Sequence, residues 1–215
     1  QGPAMTRDEV IAAVEVGIGL VCRLQQQGYR LLATGEMGIG NTTTSSAVTA
    51  VLLNKSIPAV TGRGSGLSSD GLQRKIKAIQ KAIEINRPNP QDGLDVLSKV
   101  GGLDLAGLAG VFLGGAACRI PVLVDGFISA AAALAAGKIC PLVQEFLFVR
   151  HLSKEPAVAM LLEHLRLKPF LQAEMCLGEG TGAVAAMPVL DLALEVYRTM
   201  STFEEIEIEA YQPLS

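Results

Sequence analysis

Residues 35–44 read Gly35-Glu-Met-Gly-Ile-Gly-Asn-Thr-Thr-Thr44. They lie between a largely apolar run, Tyr29-Arg-Leu-Leu-Ala-Thr34, and an Ala/Val-rich run from Ser45 to Leu53. The flanks predict a short buried strand over Leu31–Thr34 and a helix from about Thr43 to Asn54, which puts the glycines on a strand-to-helix turn. Such a turn offers bare backbone N–H groups at the positive end of a helix dipole, and so favours a phosphate. A tight loop that needs glycine for backbone reasons alone is the other reading. No Gly-Lys-[Ser/Thr] follows, so the stretch is not a P-loop. Thr43 stands where a dinucleotide fingerprint would carry its third glycine.

Outward from this turn, strand and helix alternate. Upstream, Thr6-Arg-Asp-Glu9 is a capping box that starts a helix ending near Gly28. Downstream, Ile57-Pro-Ala-Val-Thr61 reads as a short strand leading into Gly62-Arg-Gly-Ser-Gly66. Ser69–Asn86 is amphipathic, with Leu72, Ile76, Ile79 and Ile83 on one face and Lys75, Lys77 and Lys81 among the polar positions. Asp92–Val100 and Asp104–Cys118 read as helices, and Pro121-Val-Leu-Val-Asp125 as the clearest strand, with a carboxylate at its carboxyl end. A helix over Gly126–Gly137, a strand over Phe146–Val149, a helix over Glu155–Leu165 and a helix over Ala183–Met200 complete the alternation. The tail Phe203–Ala210 fits either a strand or a docking tail. Continuous apolar strands separated by helices predict a Rossmann-like α/β fold, a parallel sheet with helices on both faces. Ligands in such sheets bind beyond the carboxyl ends of the strands.

The 215 residues are enough for one ordinary domain, and a hydrophobic share of 49% is ample for its core. The net charge of −3 comes without a basic stripe, which argues against a nucleic-acid partner. The most membrane-like stretch, Leu103–Ala136, is broken by Arg119, Pro121 and Asp125, and its uninterrupted part is too short to span a bilayer. We expect buried helices there and no membrane partner. The N-terminus shows no charged segment followed by an apolar one, so no signal peptide is expected. Cys22, Cys118, Cys140 and Cys176 have no metal or redox spacing. Reduced thiols, hence a cytoplasmic protein, are the expectation.

Two further features carry chemistry. Gly62–Gly66 is a second anion-friendly loop, with Lys75 on the helix after it; a solvated surface Lys is the plainer reading. Gly178-Glu-Gly-Thr-Gly182 sets a carboxylate between glycines at a helix start, which leaves Glu179 open to approach a ligand ring; a strained turn with an incidental Glu is the alternative. His151 fits a packed imidazole or a contact to a ligand phosphate. With His164 the only other histidine, neither a metal site nor a Ser–His–Asp order is argued.

Five motifs occur in order: Glu36-Met-Gly-Ile-Gly-Asn-Thr-Thr43, Gly62-Arg-Gly-Ser-Gly66, Lys99-Val-Gly-Gly102, Val124-Asp-Gly-Phe-Ile128 and Leu177-Gly-Glu-Gly-Thr-Gly-Ala183. Together, over essentially the whole chain, they resemble the nicotinate-nucleotide–dimethylbenzimidazole phosphoribosyltransferases of cobalamin nucleotide-loop assembly. The resemblance implies a pentosyltransferase that moves phosphoribose from nicotinate mononucleotide to 5,6-dimethylbenzimidazole. The products are α-ribazole 5′-phosphate and nicotinate. It implies a homodimer with no cofactor and no metal, since the pyridinium leaving group is already cationic. Glu179 would be the general base for the benzimidazole N–H, and Glu36 would stabilise the ribosyl centre as it becomes oxocarbenium-like. Gly38, Gly40, Asn41, Thr42, Thr43 and Gly64 would cradle the nucleotide, with Lys75, His151 and Ser153 near it and phosphate the anion for Lys75. Leu177 and Gly178 complete the loop around Glu179. Asp125 would bind ribose or brace a loop.

On this resemblance, residues 1–26 form a helix of a small or linking region, 27–182 the nucleotide-binding α/β domain, and 183–215 a C-terminal helix and tail. The family's long N-terminal region, which helps to form the benzimidazole pocket and a small helical domain, is expected to precede residue 1. Cys176 replaces an Arg frequent in the family, which removes any polar contact that Arg makes. Two other readings stay open. One is a nucleotide-binding fragment without a competent acceptor site. The other is a Rossmann-type dinucleotide or methyl-donor enzyme, which the Thr61-Gly-Arg-Gly64 strand end disfavours.

Overall fold

Thr6 starts the first helix in the way its sequence dictates. Its hydroxyl accepts from the Glu9 N–H at 3.2 Å, and the Glu9 carboxylate accepts from the Thr6 N–H at 2.8 Å. In this computed structural model, which describes residues 2–149, 157–171, 175, 177–209 and 211–212, the helix is α1, Arg7–Gln26. Its buried residues, Val10, Val14, Gly17 and Val21, recur at helical spacing and form one stripe. The stripe meets α5, Leu103–Cys118, and the contact leaves no room for side chains. A Cβ on Gly17 would lie 2.1 Å from the Gly107 carbonyl oxygen, and one on Gly110 would lie 2.0 Å from that of Val14. Two helix backbones touch there because both positions are glycine.

Three strands pair in parallel in the order β1 (Leu32–Ala33), β2 (Val122–Val124) and β3 (Leu147–Val149), so Leu32 faces Val122 and Val122 faces Leu147. Between β1 and β2 run α2 (Thr42–Leu53), α3 (Ser69–Asn86), α4 (Gly93–Val100) and α5. Helix α6 (Phe127–Ile139) follows β2, and α7 (Val158–His164) and α8 (Thr181–Thr199) follow β3. Residues Phe127–Ala136 of α6 are buried on every side, as their small apolar sequence allows, and α2 packs beside them. The fold is α/β with a parallel sheet, as its alternation implied. Among the described residues, no helix is long and apolar enough to cross a membrane. The chain forms two compact units, Gln1–Val184 and Ala185–Ser215; α1, the sheet and the loops discussed below lie in the first.

Two segments depart from the sequence reading, and a third lies only partly within the described residues. Ile57–Val60 is a 3₁₀ turn and not a strand. Pro58 has no N–H to give to a sheet and fixes a φ suited to starting a turn. The turn is then closed by the Thr61 hydroxyl, which donates to the Ile57 carbonyl at 2.6 Å. Lys75 does not lie on a polar face: α3 buries Gly71, Lys75 and Ile79 as a single stripe. The helix expected over Glu155–Leu165 begins at Val158 among the described residues. In the second unit the tail forms a turn, with no strand among its described residues. Thr202 and Glu205 make a capping box, with bonds of 2.7 and 3.2 Å, which holds a helical turn there.

Candidate active site

The chain leaves β1 at Thr34 and β2 at Asp125, both buried, and the two points are joined across the sheet end. The Thr34 hydroxyl donates to the Leu123 carbonyl at 2.9 Å and the Thr34 N–H donates to the same oxygen at 3.0 Å. Asp125 receives the start of α8: the Gly180 N–H donates to Oδ2 at 3.1 Å and the Ala183 N–H to Oδ1 at 3.3 Å. A buried carboxylate at a helix N-terminus satisfies donors that the helix itself cannot, and its charge suits the positive end of the dipole. These two bonds brace the start of α8, one of the two roles considered for Asp125.

The two glycine loops are stitched together. The Glu179 N–H donates to the Glu36 carbonyl at 3.1 Å. A Cβ on Gly35 would come within 2.4 Å of the Gly180 nitrogen, so only glycine permits this approach. Gly178, Glu179 and Gly180 are all left-handed, with φ of 74°, 57° and 80°. Glu179 thus holds a backbone conformation that costs an L-residue about 1 kcal/mol or more, at the position singled out as the base. Gly38 and Gly40 are left-handed as well, at 86° and 84°.

Asn41 carries the first carboxylate. Its side-chain amide donates to Glu36 Oε2, while its own carbonyl oxygen Oδ1 is buried without a partner among the described residues. The Asn41 backbone carbonyl in turn accepts from the Thr44 hydroxyl at 2.9 Å and the Ser45 hydroxyl at 2.8 Å, which fixes the first turn of α2. Lys75, only 7% exposed, donates to the Thr42 hydroxyl at 2.9 Å and to the Gly62 carbonyl at 3.1 Å. A Cβ on Gly64 would press to 2.9 Å from the same Thr42 hydroxyl. Lys75 therefore joins the first loop to the second and brings a positive charge beneath both. Thr43 follows Thr42 in the first turn of α2.

The structure therefore brings Glu36, Gly38, Gly40, Asn41, Thr42, Thr43, Gly64, Lys75, Asp125, Leu177, Gly178 and Glu179 to the carboxyl end of the sheet or to loops tied to it. His151 and Ser153 lie outside the described residues, as does Cys176. Sequence reasoning did not single out Thr34, Gly35 or Gly180 individually. The signal for Gly35 was its place at the head of the glycine run, but a close approach to residue 180 has no trace in local sequence. Met37, Ile39 and Leu177 are 66%, 75% and 68% exposed, so large apolar side chains stand out from both loops. Among the described residues no cluster of His, Cys, Asp or Glu could hold a metal ion. His164, at the end of α7, is pushed below the usual imidazole range by burial first and by Lys138 second.

Two carboxylates on stitched loops, a buried lysine and a glycine-rich turn thus meet at the carboxyl end of a parallel α/β sheet, which is where sheets of this class bind their ligands. A family model described as phosphoribosyltransferase matches residues 1–208. The nicotinate-nucleotide–dimethylbenzimidazole phosphoribosyltransferase of Acetivibrio thermocellus is 56% identical over 99% of this chain and 61% of its own length. Its namesake from Clostridium acetobutylicum is 52% identical over 100% of this chain and 61% of its own length. A crystal structure of CobT from Thermus thermophilus superposes with a TM-score of 0.90 at 43% identity, covering 97% of this chain and 62% of that one. The chain belongs to the nicotinate-nucleotide–dimethylbenzimidazole phosphoribosyltransferase family. It spans about three fifths of the length of the curated relatives it matches (61% for the two above).

Proposed function

We propose that this chain carries the phosphoribosyl-transfer site for nicotinate mononucleotide and a benzimidazole base. The observation that carries the reading is the bond from the Glu179 N–H to the Glu36 carbonyl, which ties the backbones of two carboxylate-bearing loops at the sheet end. The relatives' names supply the substrates; the residues supply roles. The attacking benzimidazole nitrogen forms a bond to ribose C1 as the bond from C1 to the pyridinium nitrogen breaks, and that electron pair neutralises the departing nicotinate. The proton on the other benzimidazole nitrogen passes to the Glu179 carboxylate. Glu36, oriented by Asn41, faces the positive charge that grows at C1. The glycine N–H groups, Thr42 and Thr43 hold the nucleotide, and the Lys75 charge favours its phosphate. Ser153 is expected near the nucleotide from its match to a family position, and His151 is a candidate contact to the phosphate. Met37, Ile39 and Leu177 offer apolar surface to a flat ring. The same reading takes the protein as a cytoplasmic homodimer that needs no cofactor, and residues 1–26, 27–182 and 183–215 as its three segments.

Nicotinate mononucleotide titrated calorimetrically into the chain, followed by nicotinate release with and without 5,6-dimethylbenzimidazole, tests the proposal. Binding with acceptor-dependent release is expected. Glu179→Gln should bind the mononucleotide within a few-fold and lose about 10²–10⁴ of the release rate. Unchanged turnover removes Glu179 from the role of base. Binding without release in the unsubstituted chain favours the second reading, a nucleotide-binding portion whose acceptor half lies in the two fifths of the relatives not represented here.

A further inference from the structure

The thiols of Cys22 and Cys118, 96 positions apart in the chain, lie 3.2 Å from each other. This is closer than two unbonded sulfurs ordinarily pack, and about 1.2 Å from the length of a disulfide bond. Both residues stand on backbone that is already fixed. Cys22 follows Val21, whose Cβ would be 2.9 Å from a Cβ on Gly114 of α5. Cys118 is the last residue of α5, and its carbonyl accepts from the Gln25 side chain at 2.7 Å. The left-handed Arg119 after it turns the chain so that the Ile120 N–H reaches the Gly115 carbonyl at 2.8 Å. Both cysteines are free and partly exposed, so a small oxidant can reach them. Neither takes part in the loops at the sheet end.

We propose that Cys22 and Cys118 are a disulfide-forming pair that staples α1 to α5 when a small-molecule disulfide such as oxidised glutathione is present. The thiolate of one attacks the small disulfide, forming a mixed disulfide and expelling one thiolate. The thiolate of the other attacks the protein-side sulfur, closes the protein disulfide and expels the second. Two protein thiols are oxidised by two electrons, one small disulfide is reduced to two thiols, and the thiol protons pass to the expelled groups. Because the glycine contacts already press α1 on α5, closure needs movement of side chains and little of the backbone. The bond closes a loop that contains the first glycine turn and Lys75, and it restricts the unfolded chain far more than the folded one.

The test is incubation of the purified 215-residue chain with oxidised glutathione, read by thiol titration, a non-reducing peptide map and melting. Reactive thiols should fall from four to two, and the mass by about 2 Da. One new peptide should join Cys22 to Cys118. The melting temperature should rise by about 5–10 °C and return on reduction. In Cys22→Ser and in Cys118→Ser the same treatment should give no internal link and no rise. A glutathione adduct that persists on either cysteine without closing overturns the proposal, as does a link that involves Cys140 or Cys176. So does a melting rise that survives in both serine variants. If a serine variant does not fold, the peptide map of the unsubstituted chain decides.

Discussion

Glycine does two unrelated jobs in this molecule. Between α1 and α5 it removes a side chain so that two helices can touch, and its φ there is ordinary. In the loops at residues 38–40 and 178–180 it supplies left-handed backbone, and at Gly40 nothing lies within 4 Å of where a Cβ would go. Space is the constraint in the first region and conformation in the second. The first is a problem of packing and lives on stability; the second is a problem of dihedral angles and lives on function. The same substitution should therefore mean different things in the two places.

The largest effect should come from Gly110→Ala. Helix propensity alone would make alanine better by about 1 kcal/mol. The new methyl would meet the Val14 carbonyl oxygen at 2.0 Å, backbone against side chain, and overpacking of this kind costs about 3 kcal/mol or more. The clash wins, and a melting point lowered by about 4–8 °C in a differential scan is the expected result. An unchanged melting point would mean that the helices can separate at no cost. Next is Asp125→Ala, which strips partners from the Gly180 and Ala183 N–H groups and should cost about 1–2 kcal/mol. Because Glu179 would lose its bracing, nicotinate release should fall about 10²-fold with mononucleotide affinity nearly kept, and Asp125→Asn should recover part of the rate.

Glu179→Gly sharpens the comparison in the opposite direction. It relieves a left-handed non-glycine residue, so the protein should gain about 1 kcal/mol in urea unfolding while losing turnover. A loss of stability would mean that the Glu179 side chain supports the fold. The smallest effect belongs to Gly19→Ala, on the same helix as Gly17 but facing only the Arg23 side chain at 3.6 Å. It should stabilise by about 0.5–1 kcal/mol, the plain helix preference, and thereby show that the cost at Gly110 comes from contact.

These contrasts also explain what could be read from the chain before folding. Helix α3 was legible because its apolar period runs over Ser69–Asn86; the Ser68 hydroxyl that caps it, accepting from the Gly71 N–H at 3.1 Å, was not singled out in the sequence. Strand β2 was legible because a β-branched run ends in a carboxylate. Ile57–Val60 was misjudged because β-branched residues outvoted Pro58, whose missing N–H decides the matter. Lys75 was misplaced for a related reason. Its stripe neighbours are a glycine and an isoleucine, and only the third dimension shows that Thr42 and the Gly62 carbonyl wait at the far end to satisfy its ammonium. At the site, residue types were visible but their bonds were not. The brace from Asp125 to Gly180 spans 55 positions, and no local pattern encodes a pairing at that distance. The cysteine pair is the extreme case: spacing rules search for neighbours in sequence, and helix packing made these two neighbours in space.

Met37 follows Glu36 directly and Leu177 stands two residues before Glu179, yet both side chains stand in the open. Their backbones are held by bonds that belong to adjacent residues, so either side chain can change in size without loosening Glu36 or Glu179. The arrangement separates what natural selection can vary from what it must keep. On the proposed function, preference for one acceptor ring over another can drift at those two positions while the proposed chemistry beneath them is inherited unchanged.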